Sequence, residues 1–265
     1  MTEKLDFSKE LKEIEKFYDT IEPLYEYIVK PIDYFHLHVF RYDLFNLLDK
    51  NGLLEKIPNG KLLDLGCGRG FYSRIFLDFG LKPEMIYGID LTESNLSTAR
   101  YVLPTANYSK MSADNLLFNS HSFDIILIFR VMTSIHQKSL RDKIFNEAIR
   151  VLKPDGIIIY WDSVPPPSIF SYIIKIYQTL TKKLKSNKVK HSEKYITNKK
   201  SQNWIKELSK IEVLNSLKNL KVNTKWAYTG VRHEFANKLI RFPIILDFLR
   251  RIRSPLFCNS IIGVI

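Results

Sequence analysis

The chain has 265 residues, 45% of them apolar, and a formal net charge of +12. That length fits one domain, with or without an inserted sub-domain, and the apolar fraction is ordinary for a globular protein that buries most of its unfolded surface. Two cysteines, Cys67 and Cys258, exclude a disulfide framework, a cysteine zinc site and the CxxxCxxC cluster that holds an iron–sulfur centre.

No run of about 18 apolar residues occurs, so no membrane span is expected. The opening Met1-Thr-Glu-Lys lacks the apolar stretch of a leader peptide, and a reducing cytoplasm is the expected compartment. The charge is uneven. Residues 1–164 carry 20 Lys and Arg against 23 Asp and Glu, whereas residues 165–265 carry 20 against 5. Either the C-terminal part meets something anionic, or it is a lysine-rich solvated surface.

Residues 8–50 read as helical. Leu11, Ile14, Phe17 and Tyr18 recur at helical spacing, as do Leu37, Val39, Phe40, Leu44 and Leu48. Pro23 and Pro31 break the run, and Asn51-Gly52 ends it. Such a preface is either a cover over a ligand site, through Phe17, Tyr18 and Tyr25, or plain packing. Strand and helix then alternate. Strands are expected at Lys61–Leu65, Met85–Asp90, near Ala106–Met111, Phe123–Phe129 and Ile157–Trp161. Helices are expected from Phe71 or Tyr72 to about Phe79, from Thr92 or Glu93 with Thr92 as cap, and over Lys138–Leu152. The last is stopped by Pro154-Asp155-Gly156. Unbroken apolar strands joined by helices mean a parallel sheet covered on both faces.

After Val164 the pattern changes. Pro165-Pro166-Pro167 is followed by an apolar stretch, Ile169–Leu180, and then by six lysines between Lys182 and Lys194. Val222–Tyr228 and Ser260–Ile265 read as strands. The expected divisions are an N-terminal helical segment (1–52), an α/β core (53–164), a basic helical cap (165–220) and closing elements (221–265). Two stretches, 165–190 and 238–253, carry apolar residues beside basic ones. They are either peripheral membrane contacts or faces packed on the sheet.

The stretch that organises the chain is Asp64-Leu-Gly-Cys-Gly-Arg-Gly70. Gly66, Gly68 and Gly70 give a backbone that a ligand can approach closely and that tolerates positive φ. A dinucleotide fingerprint wants glycine or alanine at 71, where this chain has Phe71. An acid in Gly88-Ile-Asp90 ends strand two, as a ribose diol requires. Ser112-Ala-Asp114, Ser122-Phe-Asp124 and Arg150-Val-Leu-Lys-Pro-Asp-Gly156 follow in order. Together these motifs resemble the class I S-adenosylmethionine (SAM)-dependent methyltransferases over about residues 55–162. Asp155-Gly156 departs from the family's two glycines. Met132-Thr-Ser-Ile135 and Tyr160-Trp-Asp162 are more distantly similar to small-molecule and surface-glycan methyltransferases.

The resemblance implies a Rossmann-like three-layer α/β fold. Its seven-stranded, mostly parallel sheet would have the order 3-2-1-4-5-7-6 and an antiparallel last strand. It implies SAM as cofactor and S-adenosylhomocysteine as product. The cradle would use Asp64, Gly66, Cys67, Gly68, Gly70 and Tyr72 at the first turn, and Asp90 and Leu91 after strand two. Ala113, Asp114 and Asn115 would meet the adenine, and Arg130, at the end of strand four, would join the cofactor-binding set, meet an anionic acceptor, or form a plain ion pair. Methyl transfer to a hydroxyl needs a base. His136 follows strand four and titrates near neutrality, and Asp162 ends strand five, so these two are the catalytic candidates. No metal is called for. The expected reaction is O-methylation of a small molecule or sugar, phosphorylated or lipid-linked acceptors included. The alternatives are an RNA methyltransferase, a methyltransferase-like binding protein without chemistry, and a nicotinamide dehydrogenase. The N-P-P-Y signature of base amino methylation is absent after strand four, where Arg130-Val-Met-Thr133 stands, so nucleic acid is not the expected partner.

Overall fold

A computed structural model of the chain describes residues 7–21, 31–163, 225–229 and 260–264. The strand Phe123–Phe129 (β4) shows why the sheet lies in the middle. Its side chains alternate between two apolar layers, Ile126 and Ile128 on one face and Ile125, Leu127 and Phe129 on the other. β1 (Leu62–Leu65) and β5 (Leu152–Ser163) alternate in the same way. Leu63, Leu65, Ile158 and Tyr160 face one layer, and Leu62, Ile157, Ile159 and Trp161 face the other. Apolar residues at both parities form a strand that is stable only between two helical layers.

The first layer is covered by α4 (Lys138–Val151), through Leu140, Ile144, Phe145 and Ala148, and by α1 (Ser8–Ile21), through Phe7 just before it and Ile14. The second is covered by α2 (Pro31–Asp49), through Phe40, Leu44, Leu47 and Leu48. α2 ends as its sequence implies. Gly52 sits at φ +64 while Leu53 N donates to Leu48 O at 2.9 Å and Gly52 N to Asp49 O at 2.9 Å, a Schellman cap.

β2 (Ile86–Asp90) and β3 (Asn107–Lys110) complete a parallel run in the order β3-β2-β1-β4-β5. β7 (Ser260–Val264) then pairs antiparallel with β5, and β6 (Lys225–Thr229) antiparallel with β7. The α/β Rossmann-like class is therefore as expected. The basic cap 165–220 and the stretch 238–253 lie outside the described residues, as does Tyr25.

Two local expectations are corrected. The segment after the glycine turn, Ser73–Phe79, is a 3₁₀ helix and not an α-helix. Ser73 and Phe76 are buried three residues apart, and the Phe76 and Phe79 rings meet edge-on at 5.7 Å, a period of three that matches three residues per turn. Gly80, at φ +87, closes it. Likewise Lys153–Gly156 is no free turn between helix and strand. α4 stops at Val151 and β5 already begins at Leu152, which pairs with Phe123 before the register shifts to Ile125 opposite Ile157. The four residues form a bulge that Asp124 pins, accepting from Lys153 Nζ at 2.9 Å with one oxygen and from Lys61 N at 2.9 Å with the other.

Candidate active site

In an open parallel sheet the ligand edge lies beyond the C-terminal strand ends. Here that edge begins at the glycine turn. Gly66, Gly68 and Gly70 have φ of +67, +52 and +70, a region that side chains disfavour. Their surroundings differ. A Cβ on Gly66 would come within 2.8 Å of Val131, and one on Gly70 within 2.6 Å of the Tyr108 hydroxyl. A Cβ on Gly68 would meet nothing within 4 Å among the described residues. The first and third glycines make room for the protein, and the second leaves open space.

Asp90, at the end of β2, holds this turn. One carboxylate oxygen accepts from Gly68 N at 2.9 Å and the other from Thr92 N at 2.9 Å. Burial raises its pKa, against hydrogen bonds from the backbone of Thr92 and Gly68 and from the Thr92 and Asn95 side chains. That explains why Thr92, which stands at the cap of α3 (Glu93–Val102) as expected, makes no side-chain capping bond: its hydroxyl turns back to Asp90.

Asp64, at 2% exposure, lies deeper, and its Oδ2 has no hydrogen-bond partner among the described residues. Burial raises its pKa to about 7, with the Ser73 hydroxyl opposing and the Asp90 charge adding to the rise. An orphaned buried carboxylate oxygen is costly unless a cationic donor arrives. Cys67 is also buried. Its thiol is pushed well above its ordinary pKa by burial and then by Asp64 and Asp90, so it acts as turn packing and not as a nucleophile. Tyr72 stands two residues beyond Gly70, at the start of the 3₁₀ helix, and Leu91 packs against the first core layer.

After β3, Ala113 joins the same layer and exposed Asn115 closes a turn, its N–H donating to Ser112 O at 3.3 Å. Asp114 accepts from Ser112 Oγ at 2.5 Å and from Lys143 Nζ at 2.8 Å. Burial opposes its charge, but these two bonds prevail and lower its pKa, so it stands as a carboxylate with a fixed direction.

α1 lies in the furrow between these strand ends. Residues 10, 14 and 18 share one face, and 15 and 19 the next. From the first face, Glu10 Oε1 accepts from His136 N at 2.6 Å and Gln137 N at 3.2 Å, and the Tyr18 and Ser134 hydroxyls meet at 2.5 Å. From the second, Glu15 pairs with Lys110 at 2.6 Å and Asp19 accepts from Ser94 at 3.2 Å. Glu10 thereby caps the N-terminus of α4 from another helix. Replacing it with alanine is expected to cost about 1–2 kcal/mol, as for other lost caps. Urea unfolding reads this, and a loss of only a few tenths would remove the capping role.

Two candidates fall differently from expectation. Asp162 is 1% exposed, and its oxygens accept from Thr133 N at 3.2 Å, Thr133 Oγ1 at 2.9 Å and Ser163 N at 2.9 Å. Burial raises its pKa, and the Arg130 charge draws it back. It ties β5 to the turn Met132–Ser134 and so positions that loop instead of presenting a group to an acceptor. Arg130 is not turned to the glycines. Its backbone N donates to Trp161 O at 2.8 Å, its Nη1 to the Ser163 hydroxyl, and its guanidinium lies over the Trp161 ring at 5.5 Å. His136 has an exposed ring on a fixed backbone, its N–H held by Glu10 and its carbonyl accepting from Arg141 at 2.9 Å. Thr133 and Glu10 were missed in sequence, since a lone threonine and a helix-surface glutamate carry no signal until the fold brings distant segments together.

Residues 63–160 match the family model described as a methyltransferase domain. Over 129 residues the chain is 28% identical to "Phthiotriol/phenolphthiotriol dimycocerosates methyltransferase 1" of Mycobacterium ulcerans, covering 48% of this chain and 46% of that protein. Over 103 residues it is 33% identical to "Ubiquinone/menaquinone biosynthesis C-methyltransferase UbiE" of Campylobacter jejuni, covering 37% and 43%. The chain thus spans less than half the length of these curated relatives. Among solved structures, the magnesium protoporphyrin IX methyltransferase of Synechocystis PCC 6803 with bound SAH aligns over 98% of this chain and 99% of its own. Its TM-score is 0.58 and its identity 12%, a likeness of fold.

Proposed function

We propose that the chain is a SAM-dependent methyltransferase acting on a small-molecule acceptor, lipid-like molecules and glycans included. One observation carries this: the unpartnered, buried Asp64 Oδ2 beside a turn of three left-handed glycines whose middle member faces open space. A ligand with a cationic amino group and a ribose fits there, the amino group on Asp64 and the diol on Asp90. Asp114, held by Ser112 and Lys143, is placed for an adenine amino group, and α1 covers the furrow. The matched domain, the relatives' printed activities and the strand order running on through β7 and β6 support the same reading.

When bound, SAM supplies a methyl group on a positively charged sulfur. Asp64, Asp90 and Asp114 would hold it, and its methyl group would be open to displacement by the acceptor's lone pair. With a hydroxyl acceptor the proton passes to a base, and we assign this to His136, whose backbone Glu10 and Arg141 fix. Asp162 keeps the intervening turn in place through Thr133.

Calorimetry with SAM and S-adenosylhomocysteine tests the first step, and absence of binding by both would end the proposal. His136→Ala is expected to lower kcat by about 10²–10⁴-fold with SAM affinity retained. Near-normal turnover would remove the histidine from the mechanism.

A further inference from the structure

Beside the glycine turn stands an aromatic platform. Phe40 and Phe129 are buried and form its base. Tyr72 and Trp161 are partly exposed and lie on top, with ring centroids 5.0 Å apart, and Trp161 is 4.3 Å from Phe40. The platform adjoins the proposed SAM cradle. Tyr72 is two residues past Gly70, and Val131, next to Arg130, fills the space that Gly66 leaves by lacking a Cβ.

Ring packing accounts for the aromatic contacts. It leaves two features unexplained. The Trp161 Nε1 is buried and has no hydrogen-bond partner among the described residues, a cost a phenylalanine there would not carry. Arg130 holds φ +61, where a glycine would sit without strain, and its charged group is stacked over the same indole. A lone donor and a cation thus stand together at the edge of an apolar corner, in which the Tyr72 and Trp161 rings meet at 64°.

We propose that this platform is the acceptor subsite and that it selects a planar, apolar acceptor bearing an anionic oxygen. One face of the ring lies against Trp161 and its edge meets Tyr72. The oxygen accepts from Trp161 Nε1–H and faces the Arg130 guanidinium. Trp161 and Arg130 are then specificity-determining residues, an assignment that rests on the methyltransferase reading above.

The test uses the full chain saturated with S-adenosylhomocysteine, titrated calorimetrically with 2-naphthoate and with its uncharged counterpart 2-naphthamide. Naphthoate is expected to bind at least tenfold more tightly than the amide. Trp161→Phe, which keeps the ring and removes the N–H, is expected to weaken naphthoate tenfold or more while S-adenosylhomocysteine binds as in the wild type. That retained binding also reports an intact fold. Arg130→Gln is expected to weaken naphthoate at least as much. Equal binding of acid and amide, no binding of naphthoate, or wild-type affinity in both variants would overturn the proposal. Failure of S-adenosylhomocysteine to bind, read before naphthoate is added, would instead overturn the methyltransferase reading and this proposal with it.

Discussion

Replacing Asp64 with asparagine is expected to make the ligand-free protein more stable at pH 8 and poorer at binding SAM. The carboxyl is buried and its pKa stands near 7, against an ordinary 3.8. Between those values the folded protein holds a proton that the unfolded chain has released. Stability is therefore greatest below about pH 4, falls as pH rises toward 7, and is level above. The span corresponds to an upper bound on the order of 4 kcal/mol. Asparagine removes the titration. Denaturation midpoints of wild type and variant should agree near pH 4 and diverge in the variant's favour by pH 8. Binding should move the other way. A cationic amino group on Asp64 needs the carboxylate, so wild-type SAM affinity is expected to rise between pH 5.5 and 7.5 with proton release. The variant should lose that dependence and at least tenfold in affinity, about 1.4 kcal/mol. A variant that is destabilised at pH 8, or that binds SAM normally, would show that Asp64 is a structural carboxyl.

The second large effect separates a glycine kept for the ligand from glycines kept for the protein. Gly68→Ala places a methyl in open space at φ +52. Its folding cost is about 1 kcal/mol for the left-handed backbone alone, a fall in Tm of about 2–4 °C. SAM affinity is expected to drop by one to two orders of magnitude, because the methyl occupies the approach to the turn. Gly70→Ala carries the same strain and adds a 2.6 Å clash with the Tyr108 hydroxyl, so it should lose distinctly more stability. Differential scanning calorimetry alongside SAM titration checks both. If Gly68→Ala binds SAM as well as the wild type, the open space is not the ligand's.

The parallel strands were legible because they are short apolar runs bounded by turn residues. Phe123–Phe129 could hardly be anything else. The glycine turn and the acid that holds it were legible because their needs are local: three glycines and an acid at the next strand end. What was not legible arises between segments. Nothing near Asp162 announces that Thr133, 29 residues earlier, will take both of its oxygens. Nothing near Arg130 tells that its side chain will turn to Trp161. The 3₁₀ form of Ser73–Phe79 was hidden because periods of three and 3.6 barely separate over seven residues. The bulge at Lys153–Gly156 was hidden because a proline and a glycine usually mean an exposed turn, and only pairing with Phe123 shows the strand already begun.

The position of α1 sets an order on how the protein is made. Its partners Lys110, Ser134 and His136 follow it by 95, 116 and 126 residues. A chain emerging at about 5–20 residues per second exposes this helix several seconds before β4 and its loop exist. A helix of 14 residues is marginal in water by itself, so α1 cannot hold a fixed place alone. The helix that covers the furrow is thus synthesised before every strand it rests on, and the edge of the sheet closes only after residue 137 has been added.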